Sequence, residues 1–153
     1  MLYPTVLKKL EFYCSYQERS HKEIRIKLKS LKIEDELIDE YIVYLIHHNY
    51  LNEERFACAF ARGKHNYKKW GKIRISNELK LHGVSSYIIK TALREIEEDK
   101  YVQNFNELAE KEWHNTKTID LQRKKRKISD FLFRKGYESH LIFEKIEALC
   151  TLD

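Results

Sequence analysis

Residues 50–84 read YLNEERFACAFARGKHNYKKWGKIRISNELKLHGV, and their spacing decides the fold. Asn52 is placed to N-cap a helix through its side-chain oxygen, with Glu53 and Glu54 at the positive end of the helix dipole. Phe56, Ala57, Phe60 and Ala61 follow at helical spacing, a stripe that another helix can approach closely. Gly63 costs that helix roughly 1 kcal/mol relative to Ala, which makes it a soft spot rather than a stop. After Tyr67 and Trp70, Gly71 marks a helix end, and Ile75 and Leu79 open a second stripe that closes at Gly83.

The rest of the chain repeats this pattern. Placing Ile24 over Ile75 and Ile128 brings five more columns into register: Leu28, Leu79 and Leu132; Ile33, Val84 and Tyr137; Ile38, Ile89 and Ile142; Ile42, Leu93 and Ile146; Leu45, Ile96 and Leu149. Three copies at a spacing of about 50 residues indicate an internal repeat of three helices per unit. The reading is all-α: three tandem three-helix repeats, over 1–50, 51–98 and 99–153, forming an elongated, curved, right-angle-free bundle array. The first helices of the units are expected over 5–17, 52–69 and 100–117. The earliest presents Leu7, Leu10, Phe12, Tyr13 and Cys14 as a broad apolar side, and the last carries Phe105, Leu108, Ala109 and Trp113. Ser20 and Glu23 have the spacing of a capping box.

Gly83 and Gly136 share one repeat position, where a left-handed residue ends a helix without Cβ strain. The first unit has Lys32 there, so a different or looser turn is expected in that unit. One proline, four glycines and no sustained polar/apolar alternation agree with an all-helical chain. No run approaches the roughly 20 apolar residues that cross a bilayer, and the first residues lack the apolar region of a signal peptide. A cytoplasmic protein with no membrane association is expected. Cys14, Cys58 and Cys150 are odd in number, far apart and set among apolar residues, which favours buried thiols over disulfides.

Charge follows the repeat. The net charge of +5 comes with basic second helices: Arg19, Lys22, Arg25, Lys27, Lys29 and Lys32 in the first unit; Arg62, Lys64, Lys68, Lys69, Lys72, Arg74 and Lys80 in the second; Arg123, Lys124, Lys125, Arg126, Lys127, Arg134 and Lys135 in the third. Third helices begin or end acidic, as in Glu34, Asp35, Glu36, Asp39 and Glu40. Lysines on one amphipathic helix usually only solvate it, but threefold recurrence points to a cationic stripe that follows a charged polymer, with Tyr67 and Trp70 available for stacking. The candidate contact residues are Arg25, Lys29, Lys68, Lys69, Trp70, Lys72, Arg74, Arg123, Lys124, Lys125, Arg126 and Lys127.

Catalytic patterns are missing from the sequence. The seven histidines, including the adjacent His47 and His48, have no Cys or His partner at ligand spacing and read as surface or half-buried residues. No glycine-rich phosphate loop occurs. Trp113 and the group Phe131, Phe133, Tyr137 and Phe143 read as core. No catalytic residue, metal or cofactor is expected, and the chain does not read as an enzyme.

Three blocks carry a resemblance. CSYQERSHKEI at 14–24, YLNEERFA at 50–57, and GKIRISNEL at 71–79 followed by Gly83 and Val84 resemble, in order and spacing, signature blocks of the RecX family. The match is close over the first two units and rests on apolar columns and a basic helix in the third. One departure is Asn49-Tyr50-Leu51-Asn52-Glu53, where the family commonly has Gly-Tyr-Leu-Asp-Asp; Asn52 still caps and Asn49 tolerates left-handed geometry. The resemblance implies a monomeric modulator of the RecA recombinase. Such a protein lies along the RecA–single-stranded-DNA filament, lowers its ATPase, strand-exchange and coprotease activities, and binds single-stranded or duplex DNA weakly by itself. The alternative is a direct DNA-binding protein of tandem helix-turn-helix type.

Overall fold

A computed structural model describes residues 2–118 and 120–152, and among these every regular element is an α-helix. In chain order they are α1 (Pro4–Tyr16), α2 (His21–Ser30), α3 (Asp35–His47), α4 (Glu53–Lys68), α5 (Lys72–Leu81), α6 (Ser86–Leu93), α7 (Glu98–Asn115), α8 (Leu121–Lys135) and α9 (Ser139–Leu152). They fall into three tandem groups of three. In space the chain forms two compact units, Met1–Phe60 with Glu78–Ala92, and Ala61–Asn77 with Leu93–Asp153.

In the first unit α2 packs on α3, and Leu10, Cys14, Ile24, Leu28, Ile38, Tyr41, Ile42, Leu45 and Leu51 form one buried cluster. In the second, α7, α8 and α9 pack on one another and bury Tyr101, Phe105, Ala109, Trp113, Ile128, Leu132, Tyr137, Ile142, Ile146 and Leu149. Each fully buried Leu or Ile contributes about 1.5–3 kcal/mol, so these apolar columns hold the units together. Of the aligned repeat positions, Ile33 and Leu93 are partly exposed and the others are buried.

Local chemistry sets the helix ends. Ser20 Oγ accepts from the Glu23 N–H at 3.1 Å while the Glu23 carboxylate accepts from the Ser20 N–H at 2.8 Å, completing the capping box. Asn52 Oδ1 accepts from the Arg55 N–H, and Asp120 Oδ1 from the N–H groups of Gln122 and Arg123. Arg55 also donates to Glu18 at 2.6 Å and to both the side chain and the carbonyl of Asn49, so it ties the end of α3 to the start of α4.

Four helices end in the same kind of bond. The N–H groups of Ile33, Tyr50, Val84 and Tyr137 reach back to the carbonyls of Leu28, Leu45, Leu79 and Leu132, each across a left-handed residue. That residue is Lys32 (φ 60°), Asn49 (φ 64°), Gly83 (φ 81°) or Gly136 (φ 96°). The looser turn expected at Lys32 does not occur. Lys32 takes the glycine-like conformation, because the Leu28 carbonyl and the apolar column at Ile33 need the same path as in the other units.

Gly71 also differs from its expected role as a helix end. Lys69, at φ 58°, closes α4, and Gly71 lies at the entry to α5, where its carbonyl accepts from the Ile75 N–H. Its need is steric: a Cβ there would overlap the Gly136 carbonyl and the Tyr137 nitrogen. The aromatic assignments need correction too. Phe12, Phe133 and Phe143 are exposed, because at their register α1, α8 and α9 turn toward solvent, while Tyr137 is fully buried. Cys14 is the buried thiol; Cys58 and Cys150 are partly exposed, and all three are unbridged.

Candidate functional site

The cationic candidates of the second unit gather where the chain passes from α4 to α5. The backbone of that passage is tied down by five successive N–H groups. The N–H groups of Lys69, Trp70, Gly71 and Ile73 donate to the carbonyls of His65, Lys64, Lys135 and Gly136, and that of Lys72 donates to Tyr101 Oη at 2.9 Å. The carbonyls of Lys68, Lys69 and Trp70, at and just past the end of α4, receive side chains. Lys135 Nζ donates to Lys68 at 3.0 Å, Tyr137 Oη to Lys69 at 2.8 Å, and the His65 ring to Trp70 at 2.9 Å. Rerouting the segment would forfeit these bonds together, which holds it to this path.

His65 is buried, against the surface or half-buried position expected of it. Its Nε2 lies 2.9 Å from the Asn104 amide nitrogen, which donates to it, so Nδ1 carries the proton given to Trp70. Burial holds its pKa below the ordinary histidine value, and the nearby Lys69, Lys72 and Lys100 push in the same direction. Tyr101 is the second anchor. It accepts from the Lys72 N–H and donates to Glu138 at 2.5 Å, while burial first and Glu138 second raise its pKa far above the usual tyrosine value.

On this frame sit Lys68, Lys69, Trp70, Lys72 and Arg74, and α8 adds Arg134 and Lys135, which were not among the candidates drawn from sequence. Arg74 donates to the Arg134 carbonyl at 3.1 Å and its guanidinium lies 4.1 Å over the Trp70 ring, with the Lys64 ammonium 5.0 Å from the same ring. Trp70 is thus half-buried and holds two cations in place, whereas Tyr67 stands 87% exposed. Lys72 sits 4.5 Å over Tyr101 and pairs with Glu98 at 2.9 Å. The pKa of Lys135 is lowered, chiefly by burial and then by Arg74 and Lys68, which records how closely positive charge is gathered.

The run at 123–127 belongs elsewhere. It occupies the start of α8, about 10–16 Å along the helix from Arg134 at 1.5 Å per residue. Five successive helical residues point all round the axis. Lys124 lies 4.2 Å over Trp113, Lys125 pairs with Glu147 at 3.7 Å and Arg123 with Asp120 at 3.8 Å, while Arg126 and Lys127 are exposed. Arg25 and Lys29 lie in the first unit, four apart on the exposed side of α2, with Arg25 bonded to Asp39 at 2.7 Å. The candidates are therefore not one cluster. Within the second unit the structure brings together those from Lys68 to Arg74 and leaves the 123–127 run apart from them.

Among the described residues no group of three or more His, Cys, Asp or Glu is arranged to hold a metal ion. None of the helices described is long and apolar enough to cross a membrane.

A chain of tandem three-helix groups, with a cationic crossing between α4 and α5, is a protein of helical-repeat architecture. Residues 52–93 match the family model for the second three-helix domain of RecX, and 98–146 match that for the third. The chain belongs to the RecX family. It is 31% identical over 137 residues to proteins named regulatory protein RecX from Bacillus cytotoxicus and Bacillus cereus, covering 90% of this chain and 51% of each relative. The chain thus spans about half the length of these curated relatives. The crystal structure of RecX from Lactobacillus salivarius superposes with a TM-score of 0.79 at 29% identity, covering 95% of this chain and 94% of that one. A second crystal structure, of a regulatory protein RecX, has the same fold at a TM-score of 0.79 and 22% identity, covering 94% of this chain and 70% of that one.

Proposed function

We propose that this protein binds the RecA–single-stranded-DNA filament and lowers its ATPase, strand-exchange and coprotease activities, acting in the cytoplasm as a monomer. The observation that carries this reading is the crossing at 68–74, where lysines and arginine project from a backbone held by hydrogen bonds to α7 and α8 and to the turn after α8, in a chain of the RecX family. A filament repeats protein and phosphate along its length. The three repeats, taken as 1–50, 51–98 and 99–153, each carry a basic second helix, so weak contacts made by several of them add through effective concentration. Fixing the cations in advance lowers the entropy lost on binding.

Sequence-specific duplex recognition of the helix-turn-helix kind is supported less well. On α3 the exposed residues include Asp35, Glu36, Asp39 and Glu40, which phosphates repel. The test is the single-stranded-DNA-dependent ATPase of the cognate RecA, titrated with this protein below and at equimolar ratio, with co-sedimentation on filaments. Inhibition with co-sedimentation is the expected result. Absence of both rejects the reading.

A further inference from the structure

The unabsorbed feature of the first unit is the outward face of α1. Leu10 and Cys14 point into the core, but Phe12 is 74% and Tyr16 76% exposed, one helical turn apart on the same side. They line a concavity of about 500 Å³ together with Lys8, Lys9, Tyr13, Arg19 and Lys27. Exposed aromatic side chains scattered singly need no explanation. Here two are adjacent, four cations surround them, and no carboxylate is among the lining residues. The carboxylates of α1 and of the turn after it are engaged elsewhere: Glu11 accepts from Tyr44 Oη and Glu18 from Arg55.

One cation is built in. The Arg19 guanidinium lies 3.6 Å over the Tyr13 ring and 6.0 Å from that of Tyr16, and its Nε donates to the Tyr13 carbonyl at 2.9 Å. The Lys27 ammonium is 5.2 Å from the Tyr13 ring. Tyr13 therefore forms a floor that fixes positive charge, while the rings of Phe12 and Tyr16 remain open to a flat partner.

We propose that this face of α1 is a binding site for single-stranded nucleic acid, in which bases stack on Phe12 and Tyr16 and phosphates meet Lys8, Lys9, Arg19 and Lys27. Charge and shape select this ligand over the other polyanions. A duplex hides its base faces, and an acidic protein segment would use the cations but has no general use for two open rings one turn apart. The site does not depend on the recombinase reading and operates with no filament present.

The experiment is a fluorescence-anisotropy titration of labelled oligo-dT and of a duplex of equal length with the full chain, Phe12→Ala/Tyr16→Ala, Lys8→Glu/Lys9→Glu, and Lys90→Glu, at an exposed lysine of α6 outside both proposed surfaces, as the off-site control. Both aromatic side chains are exposed, so circular dichroism and melting of the double variant are expected to match the parent. Loss of the two rings is expected to weaken oligo-dT binding by about 30-fold or more, the lower end for two stacked bases. The lysine reversals are expected to weaken it and to flatten the salt dependence by about 0.7 in log–log slope for each phosphate that is no longer neutralised. Lys90→Glu should leave most of the affinity in place. Phe12→Trp supplies a direct readout, with indole quenching beyond that of the parent on adding oligo-dT.

Unchanged oligo-dT affinity in the folded Phe12→Ala/Tyr16→Ala variant overturns the proposal. So does an equal loss for duplex and single strand, which would reduce the site to unspecific charge. Normal oligo-dT binding combined with loss of filament co-sedimentation in the same variant also overturns it, and would assign the face to a protein contact. Failure of RecA inhibition with oligo-dT binding intact would instead strike the proposed function and leave this site standing.

Discussion

Gly71 and Gly136 meet backbone to backbone: the Ile73 N–H donates to the Gly136 carbonyl at 3.0 Å, and a Cβ on Gly71 would overlap that same carbonyl. Gly136 is also left-handed, and a Cβ there would meet the Arg74 backbone. Gly71→Ala is therefore expected to cost about 1–3 kcal/mol through overpacking, and Gly136→Ala more, since backbone strain adds to the clash. Gly83 has the same backbone sign but open space around it, so Gly83→Ala should cost only about 1–2 kcal/mol. Urea denaturation of the three variants checks this order.

Lys32 takes φ 60° at the position where Gly83 and Gly136 stand in the later repeats. Lys32→Gly relieves Cβ crowding and is expected to raise stability by about 1 kcal/mol, less the added freedom of the unfolded chain. A fall in urea midpoint would show that the lysine side chain contributes more than its strain costs.

His65 is held neutral by burial, with its folded pKa below the unfolded value of 6.5. The unfolded chain therefore binds the extra proton first as pH falls. Stability from this group is present above about pH 6.5 and is lost on going below it, down to the lowered folded pKa. His65→Gln should have lower stability at pH 7.5 and a shallower decline between about pH 6.5 and 5, read from thermal melts across that range. An unchanged acid slope in the variant would assign the decline to other groups.

The Cys14 thiol is pushed up to about 11, first by burial, while Cys58 and Cys150 are partly exposed. A thiol-selective alkylating reagent at about pH 8 should label Cys58 and Cys150 well before Cys14, as followed by mass spectrometry of peptides. Early labelling of Cys14 would mean that α1 opens readily.

Lys68 and Lys69 are presented at the end of α4 with their carbonyls already bonded to Lys135 and Tyr137. Reversing both to Glu should leave the fold intact, weaken filament co-sedimentation, and reduce the salt slope of binding by about 1 for each phosphate that these lysines neutralise. Wild-type affinity with wild-type slope would remove these residues from the binding surface.

The architecture was legible in the sequence because periodicity carries it. Ile24, Ile75 and Ile128 recur with their columns, and a 3.6-residue period with a capping box at Ser20 and Glu23 leaves few ways to bury those side chains. Asn52 and the left-handed glycines were equally readable, since capping and Cβ strain are local effects. Lys32 escaped the same reasoning because the column at Ile33 outweighs the intrinsic cost at one residue.

The site was legible only as composition. Which basic residues stand together depends on bonds and close approaches between segments some 60 residues apart, such as Lys135 to Lys68, Arg74 to Arg134, and Gly71 to Gly136. A run such as 123–127 looks like a patch along the chain and is dispersed around a helix in space. Phe12 lay within an apolar segment, but only packing shows that Leu10 and Cys14 take the core and leave Phe12 with Tyr16 outside. Local spacing and sterics fixed the helices, their ends and their repetition. The tertiary structure decided which charges and rings share a surface, because proximity between distant segments is set by how the helices pack and not by their order in the chain.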